Sequence, residues 1–210
     1  GVTYWDTEAY CIPFYLGTKN SNVAKNLLKQ RYDQLPNAIL NAKKIGLNHG
    51  AALYPMVTAN GEECHNEWEI TFEEIHRNAA IAQAIKKYLN FSNDNEFMIN
   101  KGIKILIAIS RFWEQRVNYS SALNKYVILG VTGPNEYENN VDNNWYTNYS
   151  AKWCLEYTNE TLKEIADSNL DHYKKILNET SLEKTEIYKW YKIINNIYLP
   201  YCKDLDVFIQ

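Results

Sequence analysis

Apolar residues fall at helical spacing through most of this 210-residue chain and almost nowhere alternate as a half-buried strand would. That pattern limits the fold to an all-α architecture. Residues 20–45 place Val23, Leu27 and Leu28 on one face and Ala38, Ile39 and Ala42 on another. Pro36 divides them into two helices near Leu35, because proline disrupts a helix ahead of it, and Gly46 is expected to close the second. Residues 70–89 read as one amphipathic helix with Phe72, Ile75, Ala79, Ala82 and Ile85 inward. Glu73 and Glu74 stand in its first turn and Lys86 and Lys87 in its last, as the helix dipole favours. Asn93-Asp94-Asn95 caps the next helix, which runs to about Val117 and is apolar enough to be buried on more than one side. Further helices are predicted over 148–168, over 170–177, and from Ser181-Leu182-Glu183-Lys184 to about Tyr198. Seven or eight helices result, with no 20–50-residue repeat to make a solenoid. Short turns alternating with long polar, aromatic loops suggest a helical toroid whose long loops gather at one end.

The long loops carry the chemistry. Residues 49–69 contain Gly50, Pro55 and an Asn60-Gly61 turn, and their aromatic content argues against disorder. They either contact substrate or pack on the surface. His65, Glu67 and Glu69 match no zinc spacing, since His-Glu-x-x-His is absent, so no metal is expected. Residues 126–149 open with Tyr126-Val127-Ile128-Leu129, a buried strand or extended segment that Gly130 and Gly133-Pro134 end. A carboxylate, Glu136, follows, near Glu138 and Asp142, among the amides of Asn139, Asn140, Asn143 and Asn144 and the rings of Trp145, Tyr146 and Tyr149. A carboxyl on a rigid loop, with amides for hydroxyls and rings for sugar faces, equips a site for acid chemistry on a carbohydrate. The alternative is an Asn-rich surface loop. Trp5-Asp6 offers another ring and carboxylate, or else a core Trp beside a helix-capping Asp. His76 and Arg77 read as structural, while Arg111, Glu114 and Arg116 either face a site or pair with one another.

A net charge of −3 gives no electrostatic case for nucleic acid or an anionic membrane. No apolar run reaches the ~18 residues of a membrane helix, and no signal peptide is visible. Four scattered cysteines without CxxC spacing argue against a disulfide framework and for a reducing, cytoplasmic compartment. The start at Gly1 and the apolar end at Val207-Phe208-Ile209-Gln210 suggest a piece of a larger protein.

Three runs, YWDTE at 4–8, GEECHNEWEITFEEIHRN at 61–78 and GVTGPNEYENNVDNNWYTN at 130–148, resemble the catalytic domain of the family 65 glycoside hydrolases, the disaccharide phosphorylases. The resemblance implies that positions 1–210 are part of an (α/α)6 barrel and that the reaction is inverting phosphorolysis of an α-glucosyl disaccharide. Glu136 matches the family's general acid, and Trp5 and Asp6 match the pair that holds the donor glucose. His65, Asn66, Glu67, Trp68 and Glu69 match the acceptor-side loop that separates disaccharides, in what looks like its maltose form. Asn135 and Tyr137, flanking the acid, are expected to contact substrate. No cofactor is implied, because inorganic phosphate is the co-substrate and attacks C1 itself, where an inverting hydrolase needs a second carboxylate to activate water. Glu136 must then be protonated near neutral pH, and partial burial beside Tyr137 and Trp145 is expected to raise its pKa. Glu138 is at most a hydrogen-bonding neighbour. The full-length protein is expected to be a homodimer whose remaining domains and phosphate-binding segment lie outside this chain. The chain alone is expected to be an open, inactive half-toroid. Phosphorolysis of trehalose, kojibiose or nigerose instead, a hydrolase of the same family and a noncatalytic sugar-binding module are the other readings.

Overall fold

Strand β1 (Thr3–Tyr4) leads into a π-helical turn, Thr7–Cys11, and on into α1 (Ile12–Gly17), which has Pro13 in its first turn. The computed structural model describes residues 2–64 and 69–210. Helices α2 (Ser21–Asp33) and α3 (Leu35–Lys44) part where Pro36 requires, with the proline in the first turn of α3. Arg31 of α2 is buried and meets Glu8 through two hydrogen bonds of 2.7 and 3.0 Å. Val23, expected inward, is 38% exposed, and the buried face of α2 is Ala24, Leu28 and Arg31.

The connection after α3 is a core element in its first half. Ala51, Ala52, Leu53, Tyr54 and Met56 are all buried, and their backbone is paired with the interior. Ala52 N donates to Ala108 O, Leu53 N donates to Ala38 O, and the Asn78 amide both accepts from Tyr54 N and donates to Ala52 O. Strand β2 (Val57–Thr58) then pairs antiparallel with β1, Thr3 opposite Thr58.

The helix predicted over 70–89 is two. One turn, α4 (Ile70–Glu73), is separated from α5 (Arg77–Ser92) by a break at Glu74 to His76. Arg77 causes the break to hold. Its buried guanidinium donates from Nε to Tyr54 O at 2.6 Å, from Nη1 to Glu74 O at 3.0 Å and from Nη2 to Thr71 O at 2.6 Å. Carbonyls that a terminating helix leaves free are thus capped by a charged donor. The break turns Phe72 outward, to 50% exposure, and turns Glu74 and His76 into the interior.

After the single turn α6 (Asn95–Phe97), capped by Asp94, a π-helical turn, Met98–Gly102, runs on into α7 (Ile103–Arg116). Helix α7 is buried along most of its length and packs against α2, α3 and α5, and against the later helices α8 (Trp145–Ser168), α9 (Leu170–Thr180) and α10 (Lys184–Asn196). Between α7 and α8 a hairpin, β3 (Asn118–Ser120) with β4 (Lys125–Val127), stands where a strand was expected, with Ile128 buried and Leu129 exposed. A last hairpin pairs β5 (Tyr201–Cys202) with β6 (Val207–Phe208). Setting aside the single turns α4 and α6, eight helices remain among the described residues. None of the described helices is long and apolar enough to cross a membrane. Arg111 and Glu114 bind α10 rather than each other, Arg111 pairing with Glu186 at 2.7 Å and Glu114 accepting from Trp190 Nε1 at 2.8 Å.

Candidate active site

The loop between β4 and α8 is built before it is decorated. Val131 and Val141 exchange both backbone hydrogen bonds at 2.9 Å and close it at its neck. The Arg116 guanidinium donates to the carbonyls of Leu129 and Gly130, and the Asp142 carboxylate accepts from Gly130 N at 3.0 Å. Gly130 has φ +61, a conformation that favours glycine. A Cβ on Gly133 would come within 2.4 Å of Asn144 Nδ2. Asn144 must stay where it is because its Oδ1 caps α8, accepting from Thr147 N at 3.0 Å, and so starts that helix at Trp145 rather than at 148.

Glu73 ties this loop to α4. Its Oε2 accepts from Thr132 Oγ1 at 2.7 Å and from Asn140 N at 2.9 Å, and its carbonyl accepts from Thr132 N. Two of the motifs that the sequence singles out are therefore joined by one carboxylate assigned only to a helix dipole. Between them lies a cleft of about 330 Å³, bordered by Glu69, Glu73, Thr132, Glu136, Asn139 and Asn140. A larger cleft of about 700 Å³ lies elsewhere, beside His49, Arg111 and Lys189. Arg111 and Lys189 there are held in ion pairs with Glu186 and Glu114.

Behind the cleft the acidic groups converge. Burial, and then the charges of Glu74, Glu136 and Asp6, push the Tyr4 phenol up to about 12. Burial, and then the adjoining Glu136 carboxyl, push Glu74 up to about 8 despite the opposing charge of Arg77. His76 is pushed down to about 4, by burial first and then by Arg77, so it is neutral at pH 7. Its ring stands edge-on between Trp5, 5.2 Å away, and Tyr146, 5.5 Å away. The Trp5 Nε1, both Glu74 carboxylate oxygens and both His76 nitrogens are buried, with no hydrogen bond of good geometry among the described residues. Such groups are rare in a folded interior and are often completed by water or a ligand.

Several expected positions differ. Glu136 is exposed, Tyr137 is 96% exposed, and Trp145 stacks on Tyr149 at 4.8 Å and Phe208 at 4.2 Å. The burial expected around Glu136 is therefore absent, and Glu74 is the carboxyl that burial acts on. Asn135 is exposed and its amide donates to Gln210 Oε1 at 3.1 Å. Trp5 and Asp6 are half-buried and do not border the cleft; Glu74, which feels both Asp6 and Glu136, links them to it. Glu69 is exposed and borders the cleft. His65, Asn66, Glu67 and Trp68 lie outside the described residues. Sequence reading missed Tyr4, Glu73 and Glu74 as parts of the site and read His76 as structural. The acidic pair Glu73-Glu74 was visible, but only the break after α4 turns its two members to different tasks.

The whole chain, residues 1–210, matches the glycosyl hydrolase family 65 central catalytic domain. The chain belongs to this family. It is 52% identical over 210 residues to the maltose phosphorylase of Bacillus subtilis (strain 168) and 40% identical over 211 residues to the alpha,alpha-trehalose phosphorylase of Thermoanaerobacter brockii. All of this chain is covered in both matches, against 27% of each relative. A solved structure, a putative kojibiose phosphorylase from the human microbiome, superposes over 100% of this chain and 27% of its own with a TM-score of 0.90 at 33% identity. As a family 65 catalytic domain, the all-α fold is part of an (α/α)6 barrel, and the chain spans about a quarter of the length of the curated relatives named.

Proposed function

We propose that the full-length protein catalyses inverting phosphorolysis of an α-glucosyl disaccharide, with maltose and phosphate giving β-glucose 1-phosphate and glucose. Glu136 is the general acid that protonates the bridging oxygen. Phosphate, already an anionic nucleophile, attacks C1 from the opposite face, so no base is needed to activate water. Trp5 and Asp6 hold the donor glucose. His65, Asn66, Glu67, Trp68 and Glu69 meet the acceptor sugar, with Asn135 and Tyr137 at its edge. The observation that carries this reading is that Glu136 borders a cleft together with Glu69, and that its charge and that of Asp6 both act on Glu74 and Tyr4. Maltose is preferred because a maltose phosphorylase is 52% identical across the whole chain, against 40% for a trehalose phosphorylase and 36% for a kojibiose phosphorylase. The full-length protein acts in the cytoplasm as a homodimer, and the chain by itself is inactive.

The test is release of glucose 1-phosphate by the full-length protein from maltose, trehalose, kojibiose and nigerose, with and without phosphate. Phosphate-dependent turnover of maltose is expected, and Glu136→Gln should lower it by ~10²–10⁴-fold, the usual contribution of a positioned acid. Near wild-type rates in that variant, or glucose release without phosphate, would sink the reading.

A further inference from the structure

Glu74 has no task in the reaction as written, yet it is an unusual carboxyl in this fold. It is fully buried, and among the described residues no N–H or hydroxyl donates a hydrogen bond to either of its side-chain oxygens. An ionised carboxylate in that position would be strongly disfavoured, and neutralisation is the usual escape. Its backbone is fixed, because Arg77 Nη1 donates to the Glu74 carbonyl at 3.0 Å at the break between α4 and α5.

Among the described residues, the charged and titratable groups that Glu74 feels are Asp6, from the start of the π-helical turn, Arg77 of α5 and Glu136 of the loop; Tyr4 of β1 in turn feels Glu74. His76, two residues on, is neutral. Arg77 does not neutralise Glu74, because its donors are engaged by the carbonyls of Tyr54, Glu74 and Thr71. The group that acts on Glu74 both as a charge and as a hydrogen-bonding carboxyl is Glu136. Two carboxyls bond each other only through a proton held between them.

We propose that Glu74 is a positioning residue for the acid of this reaction: its buried carboxyl shares one proton with Glu136 and holds that exposed side chain in place at the cleft. This rests on Glu136 being the acid. In the reaction the shared O–H bond breaks at Glu136 as a new O–H bond forms on the bridging oxygen. The electron pair of the C1–O bond passes to that oxygen, and a phosphate oxygen lone pair forms the new bond to C1. The pair is left as two carboxylates and recovers its proton from water before the next turnover. A proton held between two carboxyls is harder to remove than one on a carboxyl standing alone.

The experiment is the pH profile of kcat/KM for phosphorolysis in the full-length protein, for wild type, Glu74→Gln and Glu136→Gln. Glu74→Gln should move the basic limb to lower pH by about one unit, which is about tenfold in rate at pH values above both limbs, with KM unchanged and rates converging on wild type at the acid end. An unmoved limb, or an equal loss at every pH, overturns the proposal. Activity surviving in Glu136→Gln overturns the acid assignment, whatever Glu74→Gln does. If Glu74→Gln does not fold, infrared spectroscopy of the wild type decides. A protonated-carboxyl C=O band at pH 7 that is lost near pH 8 is required, and its absence overturns the shared proton.

Discussion

Glu8 and Glu74 are both buried carboxyls, and the fold treats them in opposite ways. Glu8 meets Arg31 in a two-point ion pair, and the Tyr54 hydroxyl donates to Arg31 O, so charge and hydrogen-bonding capacity are satisfied together. Glu74 stands beside an equally buried arginine, but Arg77 is taken up by three backbone carbonyls. Among the described residues, what remains for Glu74 is another carboxyl. The first arrangement is a completed structural clasp, and the second is an interior left unfinished. Unfinished polar interiors are costly, and they cluster where a substrate or a proton completes them.

The comparison can be broken at the first region. Glu8→Ala leaves the Arg31 charge buried and alone, and should destabilise by ~3–5 kcal/mol, read as a lowered thermal midpoint. A loss below ~1 kcal/mol would mean that the clasp is not structural.

It can be sharpened at the second through pH. The Glu74 pKa in the fold, about 8, lies above its ordinary value of 4.5. The fold therefore favours the protonated form. The Glu74 contribution is fully present below the unfolded-state value and is lost as pH rises through the folded one. Wild-type stability should fall between about pH 4.5 and 8, and Glu74→Gln should flatten that slope. The same slope in both proteins would assign it to other groups. Glu8→Ala, with Glu74 intact, should lower stability and keep that slope.

The smallest effect tests how firmly the loop holds Glu136 to Glu74. Gly133→Ala drives a Cβ against the amide of Asn144 and should cost ~1 kcal/mol through the damaged cap of α8. Phosphorolysis should fall with it. Full activity at unchanged stability would show that the loop yields freely.

What could be read without coordinates was local. Pro36 separates α2 from α3 because its ring acts on the turn just before it, and Asp94 and the Glu183–Glu186 capping box begin helices through atoms a few residues away. The break between α4 and α5 escaped the same reasoning. The apolar period runs through it, and the group that holds it open, Arg77, reaches the Tyr54 carbonyl 23 residues back. Phe72 fits the helical stripe and yet faces water for the same reason. Glu136 could be picked out by the motif at 130–148 that it stands in. That Trp145 leaves it for Phe208, and that Glu73 staples its loop to α4, depends on segments far apart in the chain.

The sequence by itself determined the helices, the three long motifs and the family they identify, because spacing and residue type are properties of neighbours along the chain. Only the tertiary structure decided which buried acid receives a cation and which is left facing another acid. That choice depends on where a guanidinium's donors are already committed, and carbonyls brought in by distant turns commit them.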